Sequence, residues 1–321
     1  MSIGIQGHIG IGKETVWGTA VAASSYLEAF SESLVTNIER FDIINITGFM
    51  RDPDDKTGIT RHVGDIVFPA HPENLGHLLN GCLGVNSITT VLSGFLHTND
   101  FTPSQSVTGS LSPLPAYTFE IFRPTAGVDA SSSFQYAGGQ VSGITMAIAP
   151  NQDMRVTASV VAKTRAGITK TTPSFPGSPA GFLGFDVASL AIDDAAVTRY
   201  EALTISIQNQ LEGIAALNAS SEIAKIRRTG PPQVRLNGTL EFQDFTEFDR
   251  FINQSEHRFT LNLFNAASHN LLIDVPRAVF STFPVNIPGR ERLTVDFEAI
   301  GRYHTGSGNA IKVSLTSVNT F

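Results

Sequence analysis

The sequence predicts a mainly β fold with one short helix per domain, arranged as two tandem β-sandwich or barrel domains that arise from an internal duplication. Three observations predict it. Apolar and polar residues alternate with period two in several segments, the mark of half-buried strands. Only two stretches carry helical periodicity. The same order of elements recurs in both halves of the chain.

Residues 1–30 are rich in Gly and Ala, show little periodicity and read as an N-terminal arm. A first domain is expected over residues 31–163. In it, a strand-like segment at 38–44 leads through a long polar loop, 47–60, into an alternating segment at 62–68. From Pro72 to about Leu83 the pattern is helical, with Leu75, Leu78, Leu79 and Leu83 on one stripe. Residues 141–148 and 154–161 read as a closing hairpin around the turn residues Pro150, Asn151 and Asp153. Pro173, Pro176 and Pro179, set among Gly, Ser and Thr, mark a linker that is placed over 164–198.

The second domain is expected over 199–304. Residues 203–208 alternate strictly, a long loop covers 213–230, and a strand is expected at 236–242. A second helix is expected from Thr246 to about Glu256. Thr246 serves as N-cap, Asp249 is an imperfect capping-box partner, and Phe248, Phe251 and Ile252 form the apolar stripe. A hairpin over 275–300 closes this half, and residues 305–321 read as a C-terminal arm. Both arms are expected to order on assembly. The duplication rests on a constant offset that superposes Gly64 on Gly238, Ile66 on Leu240, Phe68 on Phe242 and Glu73 on Glu247.

Composition narrows the function. Charged residues make up 16% of the chain, below the roughly 25% usual for soluble domains, which suggests surface buried against other copies. The net charge of −7 argues against binding nucleic acid through neutralised phosphates. The single cysteine, Cys82, excludes an internal disulfide and reads as a small buried hydrophobe. No apolar run is long enough to span a membrane as a helix, and no signal peptide is expected.

No pattern points to an enzyme or a cofactor. Residues 7–13 fit G-x-x-x-x-G-K, but Glu14 stands where a phosphate loop needs Ser or Thr, and no strand is expected before it. Pro53 and the missing Gly and distal Glu break any EF-hand reading of Asp52, Asp54 and Asp55. His62, His71 and His77 lack metal-ligand spacing, and no Gly-x-Ser-x-Gly elbow occurs.

The stretch Gly10-Ile11-Gly12-Lys13-Glu14-Thr15-Val16-Trp17-Gly18-Thr19-Ala20-Val21, with Tyr26-Leu27 after it, resembles the N-terminal signature of tail tube proteins of long-tailed, siphophage-type bacteriophages. The order strand, long loop, strand, helix, hairpin is similar to the tail tube fold, and the duplication resembles the two-domain form of that family. The resemblance implies a structural virion protein, made in the host bacterial cytoplasm, that stacks as rings into the hollow tail tube through which DNA passes. Two-domain members form trimeric rings with pseudo-sixfold symmetry. If the second half were an appended decoration domain, the ring would be hexameric. Self-contacts are the implied main interaction. Tape measure protein and the tail terminator and distal tail proteins are further implied partners, and no membrane is involved.

On that resemblance, each domain supplies about four strands to an inner barrel of about 24, with a backbone diameter of roughly 50 Å. Asp65, Glu241, Asp296 and Glu298 are the expected channel-facing acids. Arg51, Asp52, Asp54, Asp55 and Lys56 in the first long loop, with Lys225, Arg227 and Arg228 in the second, are the expected ring-to-ring contacts. The competing reading is a β-sandwich decoration or receptor-binding module of a virion.

Overall fold

The computed structural model describes residues 4–43, 46, 50, 54–92, 96–105, 114–124, 132–175, 181–182, 186–218, 220–265, 269–286 and 292–321. After a 3-10 turn (Gly4–Gln6), the chain forms β1 (His8–Lys13), β2 (Ser25–Leu27), β3 (Ser31–Glu32), β4 (Val35–Ile43) and β5 (Asp54–Pro69). Helix α1 (Pro72–Leu83) leads into β6 (Gly84–Leu92), β7 (Leu96–Pro103), β8 (Tyr117–Phe122), β9 (Ser132–Ile148), β10 (Arg155–Ala162) and β11 (Thr164–Thr169). The second half comprises β12 (Val187–Ile192), β13 (Ala195–Ala196), β14 (Tyr200–Gln208), β15 (Leu211–Ile214), β16 (Lys225–Arg228), β17 (Gln233–Glu241), α2 (Thr246–Ile252), β18 (His257–Phe264), β19 (Asn270–Thr282), β20 (Thr294–Gly301) and β21 (Lys312–Ser317).

One antiparallel sheet runs through both halves in the order β4-β5-β10-β9-β14-β17-β20-β19. Behind it lie two smaller ladders. In the first half the order is β2-β1-β8-β9-β11. In the second it is β13-β12-β18-β19-β21, and β21 continues into β7 and β6. The long strands β9 and β19 serve both layers: their N-terminal parts pair in the back ladder and their C-terminal parts in the front sheet.

These pairings make the repeat explicit. β1, β2, β4, β5, α1, β8, β9, β10 and β11 hold the same places as β12, β13, β14, β17, α2, β18, β19, β20 and β21. The hairpin β6–β7 has no counterpart in the second half. Gly64 and Gly238 mark the equivalence at one position. A Cβ on Gly64 would lie 2.4 Å from the Ser33 carbonyl oxygen, and one on Gly238 would lie 2.4 Å from that of Ala202. Ser33 lies between β3 and β4, and Ala202 sits at the register shift of β14. Glycine lets each irregular neighbour pass close to the sheet.

The core fills the space between the layers. Ile66, Phe68, Leu203, Ile205, Leu236, Leu240, Val295 and Phe297 point into it from the front sheet. Helix α1 packs on β9, β7 and β21, whereas α2 packs mainly on β19.

Several expectations need correction. The N-terminal segment expected as an arm contains β1, a buried strand between β2 and β8. The C-terminal segment contains β21, paired with both β19 and β7. The expected linker contains β11, β12 and β13. Short apolar runs such as Ile9 and Ile11, or Val313 and Leu315, find partners only in distant strands, so local pattern understates them. The two long loops are largely hairpin: β5 begins at Asp54, and β15 pairs with β16. Helix α2 ends at Ile252, short of Glu256. Its N-cap position is Phe245, without a side-chain cap bond, and Asp244 just before it accepts from Thr246 N at 2.8 Å through Oδ1, so Thr246 is the first helical residue and not the cap.

Candidate functional site

The front sheet has one face on the core and one without cover among the described residues. Strand alternation assigns the side chains. On the open face stand Thr157 and Ser159 of β10, Thr145 of β9, Thr204 and Ser206 of β14, and Asn237 and Thr239 of β17. These are short hydroxyl and amide groups; Val63, Val67, Val161 and Ile300 stand among them on the same face.

The four acids expected to act together share this face. Asp65 on β5 accepts from Ser159 Oγ at 2.6 Å, and Asp296 on β20 accepts from Thr239 Oγ1 at 2.6 Å. Glu298 pairs with Arg235 Nη1 at 2.5 Å, and Glu241 Oε2 accepts from Gln243 Nε2 at 2.8 Å. Asp65 and Asp296 occupy opposite ends of the sheet at related places: Asp65 faces Ser159 across β5 and β10, and Thr239 faces Asp296 across β17 and β20. Sequence reading missed Arg235. Its position between inward Val234 and Leu236 was the available signal. Because of Arg235, the face is less negative than its four acids suggest.

The charged loop residues lie elsewhere. Arg51 and Asp52 fall outside the described residues, and Asp54 begins β5. Asp55 is bound by Arg40 at 2.8 Å across the β4–β5 hairpin, and Lys56 is exposed beside it. Lys225, Arg227 and Arg228 lie on β16. Arg228 turns inward: it donates to the Ser104 carbonyl and to Asn209 Oδ1, both at 2.9 Å, and burial pushes its guanidinium below the ordinary range. Asn209 in turn donates to the Cys82 carbonyl at 2.7 Å. Arg228 therefore ties the halves of one chain together. The hairpins β4–β5 and β15–β16 leave the sheet at the same end and touch, with Thr60 N donating to Ser221 O at 2.8 Å.

The N-terminal motif is a latch. Glu14 is buried, and its carboxylate accepts from Gly138 N at 2.7 Å, Thr118 Oγ1 at 2.7 Å and Gly18 N at 2.8 Å. Trp17 Nε1 donates to the Gly138 carbonyl at 3.1 Å, and Lys163 lies 4.6 Å from the Trp17 ring centroid. These groups satisfy β9 where it passes from one layer to the other. From His8 on, the lysine-ending glycine run at 7–13 is strand β1, with its backbone committed to β2 and β8.

The three histidines have separate environments. His62 bonds Thr36 Oγ1 at 3.0 Å, His71 pairs with Glu28 at 3.2 Å, and His77 bonds Ser25 Oγ at 3.0 Å. Burial, with Lys13 nearby, depresses His77 to about 4. Cys82 is buried, and burial raises its thiol to about 12. Among the described residues no cluster of three or more His, Cys, Asp or Glu is arranged to hold a metal, and no helix is long and apolar enough to cross a membrane.

No curated protein matches this chain. A continuous antiparallel sheet, carried by a duplicated β unit, runs through both halves. The family model for phage tail tube proteins matches residues 4–312, and the chain belongs to that family.

Proposed function

We propose that this protein polymerises as trimeric, pseudo-hexameric rings, stacked into the tail tube of a siphophage-type virion, and that the open face of the front sheet lines the channel through which DNA leaves for the host. The observation that carries the reading is the junction inside the chain. Strand β9 of the first half pairs edge to edge with β14 of the second. β19 holds the place of β9, and β4 holds the place of β14. Neither β4 nor the stretch from Val279 through residues 283–286 that follows β19 has a second partner strand among the described residues. Joining β19 of one copy to β4 of the next repeats the internal junction and leaves no exposed edge. Eight strands per chain then give 24 in a trimer, with a backbone diameter of roughly 50 Å at ordinary strand spacing and tilt.

The chemistry of the open face suits passage over binding. Hydroxyl and amide groups hydrate well and hold no net charge. Asp65, Glu241 and Asp296 add negative potential that repels phosphate, so a duplex slides without sticking. The hairpins β4–β5 and β15–β16, which leave one end of the sheet, are the ring-to-ring contacts in this reading, with Asp55, Lys56, Lys225 and Arg227 as their charged groups. Tape measure, terminator and distal tail proteins are the further partners.

Electron microscopy and native mass measurement of the purified protein test the assembly: hollow tubes and three-chain rings are expected. Monodisperse monomers under every assembly condition would remove the reading. Replacing Asp65, Glu241 and Asp296 together by Lys is expected to slow DNA ejection from otherwise normal virions, and unchanged ejection kinetics would remove the channel assignment.

A further inference from the structure

Each half carries a surface groove at the same place in the repeat. The register of β4 on β5 and of β14 on β17 makes Val35 equivalent to Thr204, and so places residues 27–32 on residues 196–201. The second-half groove is lined by Ala196, Val197, Tyr200 and Leu261, and its volume is about 330 Å³. One of its walls belongs to the other half: Ile148, Ala149 and Pro150, at the turn from β9 to β10, border it. The first-half groove is lined by Leu27, Phe30, Ser31, Ile121 and Phe122, and its volume is about 710 Å³. No β-turn from another half borders it among the described residues. Apolar groups stand uncovered around it, with Phe30 53% and Ile5 90% exposed.

The adjoining strands differ in the same way. Ile38 on β4 is 55% exposed, whereas its equivalent on β14, Ile207, is fully buried beside β9. The second half thus shows what covers this surface when the repeat is complete: the C-terminal part of a β9-type strand and the turn that follows it.

We infer that the first-half groove is the seat for the start of the connection that follows β19, Pro284, Val285 and Asn286, of a second copy of this chain. It would occupy the groove as the β9–β10 turn borders the second-half groove. The inference rests on the ring assembly proposed above and specifies a contact that edge pairing alone does not require. Glu32, held by Arg123 Nε at 2.7 Å, fixes one wall of the groove.

Two single-cysteine variants test it. Ser31→Cys places an exposed thiol in the groove, and Asn286→Cys places one on the connection. Buried Cys82 stays silent towards maleimides. The two proteins are mixed, assembled and treated with a short bismaleimide. A covalent one-to-one dimer is expected from the mixture, and none from either variant alone. Tubes that form without this cross-link, and in which Cys at position 31 still reacts with a small maleimide dye, would overturn the groove assignment while leaving ring assembly intact. As a second arm, Ser31→Trp fills the groove. It is expected to raise the critical concentration for assembly at least tenfold with an unchanged melting midpoint. Assembly at the parental concentration would overturn the inference. Parent protein that stays monomeric at every concentration would overturn both this contact and the ring.

Discussion

Helices α1 and α2 occupy equivalent places in the repeat and have opposite fates. Nearly all of α1 is buried, but only Glu247 of α2 is. Leu78 is fully buried, whereas Ile252, its equivalent, is 59% exposed. The cause lies in what covers each helix. The hairpin β6–β7, absent from the second half, closes over α1, and β21 crosses from the second half to pair with β7. The tail after β21 completes the cover: Phe321 lies against Gly76, its carbonyl accepts from Asn86 Nδ2 at 2.8 Å, and Asn319 Nδ2 donates to the Glu73 carbonyl at 3.1 Å. One half of the repeat has become the structural anchor of the chain. The other keeps a thin helix, held at its start by Asp244 and by the pair of Arg199 with buried Glu247.

The comparison can be broken at four places. The largest effect is expected where the halves agree. Gly64→Val and Gly238→Val each drive a side chain into a neighbouring backbone, and each is expected to destabilise by about 3 kcal/mol or more. Denaturant melts that show a severe loss for one and none for the other would end the claim that the two positions are equivalent.

Next, Leu78→Ala is expected to cost about 3 kcal/mol through the cavity it leaves, while Ile252→Ala stays within about 0.5 kcal/mol, as exposed positions do. Equal losses in chemical denaturation would show that α2 is covered in solution.

A third difference is in acid. His77 on α1 is held near 4 by burial, against its ordinary 6.5. The unfolded chain therefore takes up the proton first. The contribution of His77 to stability should fall as pH drops from 6.5 to about 4, level off below, and change by roughly 3 kcal/mol in all. His77→Gln should flatten that slope in melts across the range, whereas a slope that persists would assign it to another group.

The smallest effect concerns the bond from Asp244 to the first N–H of α2. Asp244→Ala is expected to cost about 1 kcal/mol. The Thr246 hydroxyl and N–H, then Arg199, lower Asp244 from 3.8 to about 2. Its contribution is complete above pH 4 and lost as pH falls towards 2. A melting curve that the variant leaves unchanged at neutral pH would show that the bond is not needed. Helix α1 has no side-chain cap and starts with Pro72, so it has no corresponding sensitivity.

Much of this was legible in the chain. Alternation revealed the central strands β5, β14, β17 and β20, because each buries one face and wets the other, and that period survives in the sequence. It also put Asp65, Glu241, Asp296 and Glu298 on one face. The residues around Gly64 and Gly238 disclosed the repeat, since both must admit a close neighbour. Strands β1, β12 and β21 stayed hidden. Each is only six residues long, and in β1 and β21 the alternation rests on two apolar positions, Ile9 with Ile11 and Val313 with Leu315, too few to stand out. Arg228 was read as a loop cation because nothing local signals that its partners are Ser104 and Asn209.

The sequence by itself therefore determined the fold class, the doubling of the unit and the polarity of the front face, because these depend on residue periodicity along single strands. Only the tertiary structure decided that β9 joins β14, that β21 reaches β7, and that one groove is walled by its own chain while its counterpart stands open. Those outcomes depend on which distant edges meet. An edge strand presents the same backbone N–H and C=O groups whatever its side chains, so its partner is chosen by the geometry of the assembled layers.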